Sequence, residues 1–446
     1  MRNSEEENCA HVKNRYKHLV SYRNLSGFRD IQSTIPRLLT SVMSIHLQTR
    51  TVSWLVATLL FSALTLQGCG GGGDVSSEPA NQPTSITEVS IPVQTDDGWI
   101  PASLAEVGMT EQPLVDALNE IRRGTYNEIH GLVIIKNGRL VLETYGRGRM
   151  YDGSEDLFTP VMDFDRDTLH IVHSVSKSFM STLAGVAIRD RFITDQNRSV
   201  LEFFPEHAGR FDIAKEGISI AHLMSMSSGL EWNEWDVPAM DFENNDAMQY
   251  QGATDPSVYF FSKDLLHEPG STFYYNTAGF QMMGEVIRRA TGMDLEDYAN
   301  QVLFQPLGIE QFQWPQYAHG SMYIVGDILL RPRDMAKFGQ LFLQDGQWLD
   351  QQVVTADWIQ SATDESLSVA HIGYNGYAGY GFFWWRKDFR VGATTIPAIC
   401  ADGLAGQSIM IFPTLDMVVV VTGGNYDFSS REHDLVSNHV LPSVIG

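Results

Sequence analysis

The stretch His170-Ile-Val-His-Ser-Val-Ser-Lys-Ser-Phe179 leads straight into an apolar run that ends at Ile188. No other feature limits the fold as strongly. Met180, Leu183, Ala184, Ala187 and Ile188 recur at helical spacing, so the run predicts a helix with one buried stripe. Ser174 and Lys177 form S-x-x-K at its start. Residues three apart are neighbours on a helix, which puts Lys177 one turn from Ser174 on the same face. A serine hydroxyl becomes a nucleophile only when a neighbour removes its proton. Lysine can do so only as the neutral amine, and burial and the positive helix end both lower its pKa from about 10.4. The same helix end offers free N–H groups to a developing oxyanion. S-x-x-K alone recurs by chance about once or twice in a chain this long, so the rest of the sequence must decide its meaning.

The 446 residues carry a net charge of −23. Residues 1–68 hold eight basic and four acidic side chains, so the remainder stands near −27. So acidic a body argues against nucleic-acid binding and suits a solvated surface. Without an export segment, about 350–370 residues remain, enough for one large domain or two closely packed parts. The three cysteines are Cys9, Cys69 and Cys400. With the first removed and the second lipidated, no intrachain disulfide is left. Cys400 has no histidine nearby in sequence and is expected to be a half-buried strand residue.

Residues 1–68 read as the export segment, with 43–68 as the signal peptide and Met43 as the favoured start over Met1. Trp54 to Leu66 is short for a transmembrane helix and right for the apolar part of a signal. It ends in Leu66-Gln-Gly-Cys69, which resembles the bacterial lipoprotein signal box. That likeness implies a lipidated Cys69, an exported chain anchored in the envelope, and a membrane contact through the lipid alone. Gly70–Gly73 and a Ser/Glu/Pro/Asn tract follow, so 69–100 reads as lipidated cysteine and flexible tether. The folded domain is expected over 101–446.

Within it, helices are predicted at 114–123, 218–230, 278–290, 295–303, 334–344 and 431–440. His130 to Tyr145 reads as a hairpin turning at Asn137-Gly138. Strands are expected at 379–385, 407–412 and 417–422. Residues 231–269 are acidic and aromatic, and read as an irregular wall with short helices. Strands at both ends around a helical middle predict an α/β protein of α+β type, its antiparallel sheet completed by both termini.

Three further stretches resemble the serine β-lactamase-like hydrolases. Pro269-Gly-Ser-Thr-Phe-Tyr-Tyr-Asn-Thr-Ala-Gly-Phe-Gln-Met-Met-Gly284 is similar to that family's second motif. Phe273, Gly279, Phe280 and Gly284 set the register, which makes Tyr275, not Tyr274, the motif tyrosine and Thr277 its polar third position. His222 to Trp232 is similar to the family's H-L-L-T-M-T-S-G-L segment, and Ala401 to Pro413 looks like the G-x-x-G-Q strand of its third motif. Arg331 to Gly339 and Tyr380 to Trp385 also look like family segments. The pattern is most similar to class C β-lactamase-like esterases, amidases and 6-aminohexanoate-dimer hydrolases.

The resemblance implies a mixed antiparallel sheet flanked by helices, plus an all-helical region, with Ser174 at their junction. It implies that Ser174 forms an acyl-enzyme, that Lys177 and Tyr275 share the proton work as a coupled pair, and that the N–H groups of Ser174 and Gln407 form the oxyanion hole. Backbone donors leave the side chain at 407 free to vary. Leu404, Ala405 and Gly406 stand where β-lactamases and transpeptidases place Lys or His, then Thr, Ser or Gly, then Gly. The cation that receives a substrate carboxylate is therefore missing, unless Arg331 or Arg386 supplies it. Thr277 replaces the usual asparagine or serine. These departures favour a small ester or amide as substrate. The acidic wall at 231–246 is a candidate site for a substrate amine, although solvation explains those carboxylates equally well. The alternatives are a β-lactamase or D-alanyl-D-alanine peptidase, and a non-catalytic penicillin-binding lipoprotein. No cofactor, nucleotide or metal motif is present.

Overall fold

Asn137 and Gly138 both adopt left-handed φ, 51° and 68°, as a two-residue hairpin turn between twisted strands requires. They join β1 (Ile129–Lys136) to β2 (Arg139–Tyr145). The computed structural model describes residues 85–445 apart from 152–157, 239–240, 242, 365–366, 370–375 and 427–429. The export segment, Cys69 and the first part of the tether lie outside the described residues.

In chain order the helices that matter are α1 (Gln112–Arg122), α2 (Ser176–Arg189), α3 (Ile220–Met224), α4 (Asp246–Gly252), α5 (Pro256–Ser262), α6 (Thr277–Thr291), α7 (Leu295–Ala299), α8 (Pro332–Leu343), α9 (Ala356–Asp364) and α10 (Glu432–Leu435). The later strands are β3 (Tyr377–Tyr380), β4 (Trp385–Val391), β5 (Thr394–Gly403), β6 (Gln407–Phe412) and β7 (Met417–Gly423). One seven-stranded sheet runs in the order β3-β4-β5-β6-β7-β1-β2. Every pairing in it is antiparallel. The C-terminal strands thus close against the N-terminal hairpin through β7 and β1. Every residue of β1, β6 and β7 is buried, because helices cover both faces. The fold is the expected α/β one, a large antiparallel sheet flanked by helices.

Four expectations change. Residues 218–230 form a helix only at Ile220–Met224. The Ser225 hydroxyl donates back to the Ala221 carbonyl at 2.8 Å, and Met226 turns to φ 56°. Serines that bond their own backbone compete with helix propagation. Residues 379–385 are not one strand, because Phe383 at φ 62° separates β3 from β4. Cys400 does lie in a strand, but it is fully buried rather than half-buried.

The packed region also begins before Pro101. Trp99 is buried, and its indole N–H donates to the Arg333 carbonyl at 3.2 Å. Arg333 is itself buried and binds Glu143 at 2.6 and 2.7 Å, Asp97 at 2.8 Å and the Val93 carbonyl at 3.0 Å. A buried guanidinium is tolerated only when its donors are matched in this way. The matching fastens residues 93–99 onto β2 and α8.

Candidate active site

Helix α2 is buried from Ser176 to Ala187. It is a core helix, not an amphipathic one with a single buried stripe, and this buries Lys177 as well. Phe179 stacks on Phe338 of α8 at 3.7 Å between centroids. Ser174 precedes α2, in a short 3-10 turn spanning His173–Val175. The turn is held from the side by the strand that leads into α8. The Val172 N–H donates to the Ile328 carbonyl and the Ile328 N–H to Ser176 Oγ, both at 2.9 Å. His170 pairs with Leu330.

Two groups meet at Ser174 Oγ. Lys177 Nζ lies 3.0 Å away and the Tyr275 hydroxyl 2.8 Å away. Tyr274 points elsewhere: it is 41% exposed and stacks on His267. Tyr275 is flanked by Trp235, with ring centroids 4.5 Å apart, and by Trp385 at 6.2 Å. The Lys177 ammonium also sits over the rings of Tyr275 and Phe280, a placement that favours a cation.

The third-motif hairpin comes close to the same turn. A Cβ added at Gly403 would overlap the Val172 carbonyl and lie 3.2 Å from the Ser174 nitrogen. Only glycine allows β5 to approach this closely. Leu404–Gly406 then forms a tight turn with Ala405 at φ 65° and Gly406 at φ 87°, and Gln407 opens β6. The Gln407 side chain is not free to vary. Its amide donates to the Gly423 carbonyl at 2.5 Å and accepts from the Gly423 N–H at 3.4 Å, which ties the turn to β7. Behind it, the partly buried Asp402 accepts from His433 at 3.2 Å, Ser408 at 2.5 Å and Tyr377 at 2.9 Å.

The sign of the lysine shift is opposite to the sequence expectation. Burial does push the Lys177 pKa down, but Tyr275 and the carboxylates of Asp327 and Glu234 outweigh it, and the pKa is raised. Asp327 is the firmer of the two charges. Burial raises its pKa, but the His173 hydrogen bond and the charges of His173 and Lys177 bring it below the ordinary value. For Glu234, burial pushes the carboxyl up against its donors. Those donors are the Thr277 N–H at 2.9 Å, the Thr277 hydroxyl at 2.8 Å and the Trp232 indole at 2.7 Å.

The Thr277 hydroxyl hydrogen is therefore committed to Glu234 at the start of α6, while Asn276 caps that helix through the Gly279 N–H at 3.0 Å. The acidic wall is partly structural. Glu234 serves Thr277 and Trp232, and Asp246 takes the Tyr259 hydroxyl, the Asn233 N–H and Lys263. Leu404 is 61% exposed. Neither arginine considered in its place is uncommitted. Arg331 pairs with Asp334 and Asp167, and Arg386 with the Thr363 carbonyl and Asp364.

Sequence reasoning passed over His173, Glu234, Asp327 and Tyr426. His173 Nδ1 lies 3.1 Å from Asp327 and Nε2 2.6 Å from the Tyr426 hydroxyl. These partners lie far apart in the chain, so no local spacing announces them. The one available signal was a titratable residue directly before Ser174.

The Beta-lactamase family model matches residues 121–436. The 6-aminohexanoate-dimer hydrolase of Paenarthrobacter ureafaciens is 25% identical over 295 residues, covering 62% of this chain and 72% of that protein. Among solved structures, EstCE1, a hydrolase with promiscuous acyltransferase activity, gives a TM-score of 0.56 at 18% identity over 75% of this chain and 99% of that one. A penicillin-binding protein homologue from Caulobacter crescentus also gives 0.56, at 15% identity and with coverage of 75% and 99%. At these identities the two structures speak to the fold alone. The matched span takes in Ser174, Lys177, Tyr275 and the third-motif turn, and the chain belongs to the Beta-lactamase family of hydrolases.

Proposed function

We propose that the protein is a serine hydrolase that cleaves small esters or amides through an acyl-enzyme on Ser174. The observation that carries this is the convergence of Lys177 and Tyr275 on Ser174 Oγ, at 3.0 and 2.8 Å. The pair shares one mobile proton. Asp327 favours keeping it on Lys177, which leaves the Tyr275 oxygen as the acceptor. Ser174 Oγ attacks the carbonyl carbon and its proton passes to that oxygen. The departing alcohol or amine takes the proton back as its bond to carbon breaks. Water then repeats the sequence on the acyl-enzyme, releasing the acid and restoring Ser174. The N–H groups of Ser174 and Gln407 receive the oxyanion, a contribution of about 10²–10³-fold per donor.

The substrate side of the reading rests on the turn at Leu404. A cation there would hold a carboxylate through a charge-assisted bond of about 1.5–3 kcal/mol, or roughly 10- to 150-fold in rate. Leu404 cannot make it, and Arg331 and Arg386 are engaged with their own partners. Esters and amides that place no carboxylate at this turn are therefore the favoured class, and the match to a 6-aminohexanoate-dimer hydrolase supports amide cleavage. A β-lactamase or D-alanyl-D-alanine peptidase is the second reading. Steady-state turnover of nitrocefin and p-nitrophenyl acetate tests the choice. Wild type is expected to favour the ester, and Leu404→Lys is expected to move the ratio toward nitrocefin by about tenfold or more. Wild-type nitrocefin turnover equal to ester turnover contradicts the ester or amide assignment. An unchanged ratio in folded Leu404→Lys removes Leu404 as its cause.

We also propose that Cys69 is lipidated and that the mature chain is held in the bacterial envelope through that anchor, on the strength of Leu66-Gln-Gly-Cys69. Cys69→Ser is expected to lose palmitate labelling and to leave the membrane fraction. Labelling that persists rules the anchor out.

A further inference from the structure

His173 occupies an unfavourable backbone conformation, φ 49°, immediately before Ser174. A residue with a Cβ is strained in this region relative to ordinary backbone, and the side chain's contacts offset that strain. The imidazole is almost wholly buried and both of its nitrogens are engaged. Nδ1 meets the Asp327 carboxylate at 3.1 Å and Nε2 meets the Tyr426 hydroxyl at 2.6 Å. With a carboxylate on one side, the ring donates from Nδ1, and its Nε2 meets the Tyr426 hydroxyl.

The two partners belong to opposite walls of the site. Asp327 lies in the strand segment that grips the Ser174 turn through Val172, Ile328 and Ser176. Tyr426 follows β7, and its neighbour Asn425 donates its N–H to the Ala405 carbonyl at 3.1 Å. Ala405 is the centre of the third-motif turn, two residues before Gln407. A continuous chain of bonds therefore runs from the Asp327 strand through His173 and Tyr426 to the turn that carries the second oxyanion donor.

We infer that His173 is a positioning residue: through Asp327 and Tyr426 it holds the Ser174 turn and the Leu404–Gly406 turn at a fixed separation, so that the Ser174 and Gln407 N–H groups aim at one point. The inference rests on the acyl-enzyme reading above. It assigns no proton transfer to His173, since both ring nitrogens are already occupied. An interaction that aligns oxyanion donors acts in the transition state, so its loss lowers kcat and leaves KM nearly unchanged.

Three variants of the full chain test it on p-nitrophenyl butyrate. His173→Gly keeps the backbone comfortable at positive φ while removing the bridge, which separates strain from bridging. It is expected to lower kcat by about 10- to 100-fold, the scale of a small misplacement in a site, with KM within about threefold. Tyr426→Phe removes the other end and lowers kcat in the same direction. The double variant is expected to be no worse than His173→Gly alone, because both changes break one bridge. A folded His173→Gly with wild-type kcat overturns the inference, as does a loss confined to KM or losses that multiply in the double variant. Asp327 is left intact because its charge also acts on Lys177. A readout independent of turnover is ¹⁵N NMR of the His173 ring, assigned by its loss in His173→Gly. A proton on Nδ1 is expected, and an Nδ1 without one overturns the bridge. A wild type with no Ser174-dependent turnover would instead sink the acyl-enzyme reading, and the NMR result would still decide the bridge.

Discussion

Tyr275→Phe is expected to lower kcat/KM for a short ester by about 10²–10⁴-fold, the range in which a positioned proton-transfer group contributes. Tyr274→Phe is expected to stay within about twofold, as surface changes away from a site generally do. The two residues are adjacent and chemically identical, so the comparison isolates placement. Only the Tyr275 oxygen lies within 2.8 Å of Ser174 Oγ. Phenylalanine keeps the ring between Trp235 and Trp385, so the loss falls on the proton path rather than on packing. Equal losses, or a larger loss at 274, would remove Tyr275 from the proton relay.

The effect should be felt in kcat more than in KM. The raised pKa of Lys177 keeps it as the ammonium, and an ammonium nitrogen has no lone pair with which to accept the Ser174 proton. Without the tyrosine oxygen, the Ser174 proton has no acceptor of comparable placement. Tyr275 is the largest cause of that rise and Asp327 the next, and the linear sequence does not reveal the second. Burial by itself would have favoured a neutral lysine.

Local patterns in the sequence were enough to place much of this architecture. Asn137-Gly138 announced the hairpin because a two-residue turn needs two residues tolerant of positive φ. Ser174, Lys177 and Tyr275 could be named because the motifs that hold them are short and fixed in register by Phe273 and Gly279. Strand β5 was anticipated only at Cys400, not over its length. Its sequence, Thr394 to Gly403, contains Pro397 and alternates only loosely, and a proline within a run argues against a strand. The split between β3 and β4 depends on Phe383 at φ 62°, a conformation imposed by tertiary packing rather than by a glycine.

The electrostatic part of the site was the least legible. Asp327 meets His173 across a separation of 154 residues, and Tyr426 meets it across 253. Contacts of that range follow from how strands and helices assemble, not from spacing. The same holds for Glu234, which reads as one more carboxylate of an acidic wall until Thr277 and Trp232 are seen to donate to it. The Gln407 amide was likewise expected to be unconstrained, since its partner Gly423 lies across the sheet on β7.

The second large effect is at Ser174 itself. Ser174→Ala removes the only oxygen on which Lys177 and Tyr275 both converge among the described residues, and is expected to lower ester turnover by about 10⁴–10⁶-fold. Lys177 and Tyr275 remain in place in that variant, so folding and substrate access are preserved while the bond-forming atom is lost. Any mechanism in which water attacks directly, with Ser174 as a bystander, predicts a far smaller loss.

The direct measurement is intact-protein and peptide mass spectrometry after mixing with a fluorophosphonate probe, on wild type and Ser174→Ala. Wild type is expected to gain one probe mass, located on the peptide that contains Ser174, with ester turnover lost in proportion to labelling. Ser174→Ala is expected to gain none. A label on another residue, or a Ser174→Ala protein that still hydrolyses esters at the wild-type rate, would contradict an acyl-enzyme on Ser174.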